Sequence, residues 1–181
     1  MTDYITLSQL NDFLFDPKSL YFHTAFAQYE KEQYHQKAQI EGNIAHQSID
    51  QGTYSNSKRY FCGKSVCSQE FQILGKIDIF DREKYTLIER KKHITKIQGG
   101  YIAQLYGQYF CMIEMGFCVD KLSLHSLDNN QRYSIDKPND EQTKNFKLLI
   151  QQIYEYQNTI EKTYCNDNNL ELNTIYNELY Y

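Results

Sequence analysis

The chain has 181 residues, enough for one domain with a sizeable core and too few for two of ordinary size. Hydrophobic residues make up 41%, and no apolar run approaches the roughly 18 residues that a membrane span needs, so no membrane role is expected. A net charge of −4 excludes an all-over basic coat for nucleic acid while leaving room for a local basic patch.

The N-terminus, MTDYITLSQLND, lacks the basic segment and apolar core of a secretory signal, so a cytoplasmic location is expected. Five cysteines, Cys62, Cys67, Cys111, Cys118 and Cys165, are odd in number and contain no CxxC spacing. Without a secretory signal they read as free, mostly buried thiols rather than a disulfide framework. Tyrosine is abundant at 17, with no tryptophan. Such rings can stack on nucleic-acid bases, although core and surface filling accounts for most of them.

In chain order, residues 6–14, TLSQLNDFL, predict a short helix that stops near Asp16-Pro17, where the proline disfavours helical geometry in the residue before it. A second, aromatic-rich helix is expected over 18–30. Residues 33–52 place Ile40, Ile44 and Ile49 at helical spacing, with Gly52 as the stop. From about 58 to 92 the period changes to two. Here SVCSQEFQILGKIDIF (65–80) and YTLIERKK (85–92) predict two strands of an antiparallel hairpin around the polar turn DREK. Residues 99–116 predict a strongly apolar helix ending at Gly116. CVDKLSLHSL and RYSID predict two further strands around DNNQ, and Asp140 is the expected cap of a long helix through about 163. The tail, CNDNNLELNTIYNELYY, has no clear pattern. This order predicts an α/β or α+β domain with a mixed sheet.

The hairpin carries the chemistry. Alternate strand residues share a face, so Leu87, Glu89 and Lys91 point one way and Ile88 and Arg90 the other. Lys76, Asp78 and Phe80 are expected to share a face of the preceding strand, which brings Asp78 near Glu89. Two close carboxylates repel, and burial adds to the penalty. A divalent cation relieves both, and oxygen ligands suit Mg²⁺ or Mn²⁺. Such a site suits phosphodiester hydrolysis: the metal polarises the phosphate and acidifies a bound water, while Lys91 orients that water or neutralises charge developing on phosphorus. Taken alone, the D…ExK spacing is explained more simply by a surface salt bridge. His46 in EGNIAHQSID and Gln104 in QLYGQYF are equally unremarkable singly.

Together, His46, GKID with Asp78, ERK with Glu89 and Lys91, and then Gln104 occur in the order seen in RecB-like PD-(D/E)xK nucleases. The chain resembles that superfamily and, within it, the CRISPR-associated RecB-like exonucleases of the fourth Cas protein family. LNDFLFDPKSLYFH, GNIAHQSIDQGTYS, GKIDIFD, ERKKHITKI and QLYGQYFCMIEMG are similar to the form that accompanies type V systems, over nearly the whole chain.

The resemblance implies a restriction-endonuclease-like α/β fold, a mixed β-sheet flanked by helices, in a single nuclease domain over residues 1–181. It implies Mn²⁺ or Mg²⁺ held by His46, Asp78, Glu89 and the Arg90 backbone carbonyl. Lys91 would be the catalytic lysine, with Gln104 placing substrate or Lys91. The superfamily often has a tyrosine four residues after this glutamine; here Gln108 stands there, next to Tyr109. The implied function is metal-dependent exonucleolytic cutting of single-stranded DNA in CRISPR adaptation. The chain would trim prespacer overhangs and help select those with a protospacer-adjacent motif, alongside the integrase complex of the first and second Cas proteins. RKKHITK (90–96) is the basic segment best placed to meet that DNA. The competing expectation is a DNA-end or motif-binding module that docks on the integrase without cutting. A stand-alone RecB-like nuclease of viral or repair origin is a third.

The family usually binds an iron–sulfur cluster through four cysteines. Here the N-terminal position is Asp16, and Glu171, Thr174 and Tyr180 stand where the C-terminal sulfurs are expected. These groups do not replace thiolates as a set, and Cys165 lacks three partners, so no cluster is expected. Tyr176, Leu179 and Tyr180 are instead expected to dock the tail on the N-terminal helices in place of the cluster subdomain.

Overall fold

The computed structural model describes residues 4–20 and 58–166. Within them the chain runs β1 (Ile5–Thr6), α1 (Leu7–Phe15), β2 (Tyr60–Cys62), β3 (Ser65–Ser68), β4 (Ile73–Lys76), β5 (Ile79–Asp81), β6 (Thr86–Lys91), α2 (Gly99–Glu114), β7 (Lys121–Ser126), β8 (Gln131–Ile135) and α3 (Asp140–Asn166). These form two mixed sheets flanked by helices, an α/β fold. The smaller sheet has the order β1-β4-β3 and the larger β2-β5-β6-β7-β8. In the larger, β6 and β7 are parallel, and α2 is the crossover that a parallel pair requires.

Sequence chemistry sets the helix ends. Thr6 caps α1 in a capping box with Gln9, each side chain bonding the other residue's backbone N–H. α1 stops at Asp16 and a new helical turn begins at 18. Asp16 Oδ1 accepts from the Lys18 backbone N–H at 3.0 Å, so the carboxylate caps the turn after Pro17. α2 closes in a Schellman motif: Phe117 N donates to Met112 O and Gly116 N to Ile113 O, both at 2.9 Å. Gly116 there has φ +84°, where a side chain would be strained. Asp140 is not the cap of α3. Asn139 takes that role, accepting from Gln142 N at 2.8 Å while the Gln142 side chain accepts from Asn139 N at 2.9 Å. Asp140 lies in the first turn, where its charge complements the helix dipole.

The expected strand over 65–80 is three strands in two sheets. β3 and β4 pair with each other, the chain bends at Ile77 and Asp78, and only β5 pairs with β6. Exposed Lys76 ends β4 in the smaller sheet, so it does not continue the face of Asp78 and Phe80. β1 and β2 were not expected as separate strands. The helix over 33–52 and the rest of the second helix lie outside the described residues.

The core lies between α2 and the strands, where Leu87, Leu122 and Leu124 of the larger sheet join Leu105 and Met112 of α2. Each fully buried side chain of this kind contributes about 1.5–3 kcal/mol. Phe110 of α2 stacks on Phe71 with ring centroids 4.6 Å apart and meets Phe146 of α3 at 5.0 Å, tying α3 to the β3–β4 turn. Leu7 of α1 is wedged between two glycines. A Cβ on Gly75 of β4 would lie 2.8 Å from Leu7 Cδ1, and one on Gly107 of α2 2.7 Å from Leu7 Cδ2. These close approaches fix α2 against α1 and β4, and so place the residues on either side of Gly107.

Of the four described cysteines only Cys111 is buried, which corrects the expectation of mostly buried thiols; Cys67 and Cys118 are exposed. Burial pushes the Cys111 thiol up to about 12. Among the described residues, no helix is long and apolar enough to cross a membrane.

Candidate active site

Asp81 closes the hairpin at its far end. Its Oδ1 accepts from Glu83 N and Lys84 N, both at 3.1 Å, forming a turn through the expected polar segment. The turn sets the register Phe80↔Leu87 and Ile79↔Ile88. Asp78 lies one residue before this ladder, in the bend that leads into β5. Asp78 Oδ2 accepts from the Arg90 backbone N–H at 2.7 Å, which ties this carboxylate to β6 although Asp78 precedes β5.

Glu89 follows Leu87 on the face turned toward α2. It is fully buried, and both its oxygens meet protein groups. Lys91 Nζ lies 2.9 Å from Oε1, and Gln108 Nε2 donates to Oε2 at 2.5 Å. Lys91 Nζ also donates to Gln104 Oε1 at 2.7 Å and lies 5.1 Å from the centre of the Tyr101 ring. Desolvation disfavours the ammonium, but Glu89, followed by Asp78 and Tyr101, more than offsets it, so the Lys91 pKa is raised. Arg90 directs its side chain away from Glu89, on the face with Ile88; there Ile79 and Ile88 pack with Tyr60 and Cys62.

Asp78 is thus joined to β6 through the Arg90 backbone N–H, and Lys91 links Glu89 to Gln104. His46 lies outside the described residues. So do Glu171, Thr174, Tyr176, Leu179 and Tyr180, while Cys165 falls in the last turn of α3. In the run after Lys91, Lys92, His93, Thr95 and Lys96 are exposed. His93 Nδ1 pairs with Asp128, Ile94 is buried, and Ile94 N donates to Ser126 Oγ at 3.1 Å. Ser126, then His93, hold the Asp128 carboxyl down at about 2.

Neither Gln108 nor Tyr101 is given a role by the sequence alone. Both lie on the same stretch of α2 as Gln104, at intervals of three and four residues, and that spacing is the signal that could have found them.

The oxygen donors at this end of the hairpin are of the kind that hard divalent cations take. Two carboxylates on adjoining segments and a main-chain carbonyl at Arg90 are all oxygen donors, suited to Mg²⁺ or Mn²⁺. Among the described residues no group of three His, Cys, Asp or Glu side chains forms a metal cluster; Asp78 and Glu89 supply two such side chains.

No protein-family model matches the chain, and no curated protein matches it. Among solved structures it is similar to that of SSO0001, with 19% sequence identity, a TM-score of 0.53, and coverage of 87% of this chain and 78% of that one. At that identity the likeness is one of fold.

Proposed function

We propose that this chain is a metal-dependent phosphodiesterase of the RecB-like, PD-(D/E)xK type that shortens single-stranded DNA ends. The observation that carries the reading is the meeting of Asp78, Glu89 and Lys91 at one end of the β5–β6 hairpin, with Lys91 held between Glu89 and Gln104. A surface ion pair would leave such groups in water. Here Glu89 is fully buried and the Lys91 side chain is 15% exposed. Burying two charges for structure alone is a poor route to stability, so a chemical use is the better account.

Asp78 and Glu89, with the Arg90 carbonyl and His46, would hold Mg²⁺ or Mn²⁺. When bound, that ion supplies Lewis-acid polarisation of a phosphate and a more acidic water. Lys91 presents a fixed positive charge beside the carboxylates, suited to a phosphate whose oxygens gain charge as the bond breaks. Gln104 keeps the ammonium from folding wholly onto Glu89, because its carbonyl oxygen competes for the same N–H donors. Leu87 and the apolar face of α2 exclude water behind Glu89, which strengthens each of these interactions.

The biological setting we propose rests on the sequence resemblance: trimming of prespacer overhangs in CRISPR adaptation, together with the integrase formed by the first and second Cas proteins. End-labelled single-stranded DNA incubated with Mn²⁺ or Mg²⁺ tests the chemistry. The wild-type chain is expected to shorten it, and Asp78→Ala to reduce cutting to background while still folding. A wild-type chain inactive with every divalent metal would instead support a DNA-binding module that does not cut.

A further inference from the structure

Gln104 and Gln108 stand one helical turn apart on α2, about 6 Å along its axis. Glu89 and Lys91 stand two residues apart on β6, about 6.8 Å. The two repeats nearly match, so the helix and the strand meet in two rungs, Gln104 on Lys91 and Gln108 on Glu89. The Lys91–Glu89 ion pair joins the rungs.

We propose that Gln108 is the positioning residue for Glu89. Its amide N–H₂ fixes Oε2 and thereby the rotation of the carboxylate, directing Oε1 toward Lys91. The orientation of the amide follows from chemistry, since an ionised carboxylate only accepts and the N–H₂ end must face it. A second observation marks the residue as more than filler. Gln108 is fully buried, and its Oε1 has no hydrogen-bond partner among the described residues. A leucine or methionine would fill the same space without burying an unmatched carbonyl. The amide is thus kept for its other end, the bond to Glu89. Gly107 beside it, lying close against Leu7 and Leu10, sets the depth at which this part of α2 meets the sheet.

This inference rests on the proposed nuclease reading, because it assigns Gln108 to a carboxylate that would hold the cation. The test uses the full chain as wild type, Gln108→Met and the milder Gln108→Asn. Mn²⁺ binding is measured by calorimetry without DNA, and cleavage of single-stranded DNA is measured alongside. Loss of an outer partner of a metal ligand typically weakens metal affinity 10–100-fold. The expected result is a rise of about that size in the Mn²⁺ Kd of both variants, with a lower kcat, an unchanged KM for DNA and a cooperative melt. Folded variants that bind Mn²⁺ like the wild type would overturn the Gln108 assignment alone. Loss of cooperative folding in both would also overturn it, by making Gln108 a structural residue. No Mn²⁺ binding by the wild type would sink the nuclease reading and this inference together.

Discussion

Glu89 and Lys91 form a pair whose members depend on each other. Removing one partner of a buried pair leaves an uncompensated charge, at a cost of about 3–5 kcal/mol. Lys91→Met is therefore expected to destabilise the metal-free protein by about 3 kcal/mol, the lower end of that range because Lys91 keeps some contact with solvent. Urea unfolding reads this directly, and an unchanged midpoint would mean that the pair is already screened by water. Asp128 gives a prediction at acid pH. Its folded pKa, near 2, lies below the ordinary value of about 3.9. A depressed carboxyl pKa contributes stability that is fully present above the unfolded value and is lost as pH falls toward the folded one. Between about pH 4 and 2, Asp128→Asn should show a flatter loss of stability than the wild type in thermal melts. Parallel curves would contradict the Ser126 and His93 bonds to that carboxyl.

At the scale of elements, the packing of α1 controls where α2 lies. Gly75→Ala would press a methyl group onto Leu7, including its Cβ at 3.0 Å, and overpacking of this kind costs about 1–3 kcal/mol. A lower melting temperature is expected; an unchanged one would show that Leu7 can move aside freely. The helices were the more legible elements, because their ends carry chemistry that can be read locally. The stops at Pro17 and Gly116 fall within a residue or two of the observed helix ends, and α1 begins at Leu7 where residue 6 was expected. The region 65–80 was not legible in the same way. From Ile73 to Phe80 its apolar residues are broken only by Gly75-Lys76 and Asp78, so nothing local announces that Ile77 and Asp78 leave one sheet for another; the pairing of β3 with β4 decides that. In the site, the approach of Asp78 to β6 was legible because a polar turn between two apolar runs predicts the hairpin, whereas Lys91 and Gln104 were singled out by the resemblance and not by the register. Gln108 was not legible, because its role appears only when helix spacing is set against strand spacing.

The described residues combine an α/β fold with a buried cluster of ionisable groups on the larger sheet. The fold alone does not imply the chemistry, since α/β folds host many activities. An acidic chain can still meet DNA, provided that positive charge is concentrated at the point of contact. We propose that in this cluster Asp78 and Glu89 together hold a divalent cation beside Lys91. The most direct measurement is anomalous scattering from crystals of the full chain soaked in Mn²⁺. The account predicts a single strong peak within coordination distance of both carboxylates in the wild type, and none in Asp78→Ala. A wild-type map with no peak there, or with the Asp78 and Glu89 side chains turned apart, would contradict it.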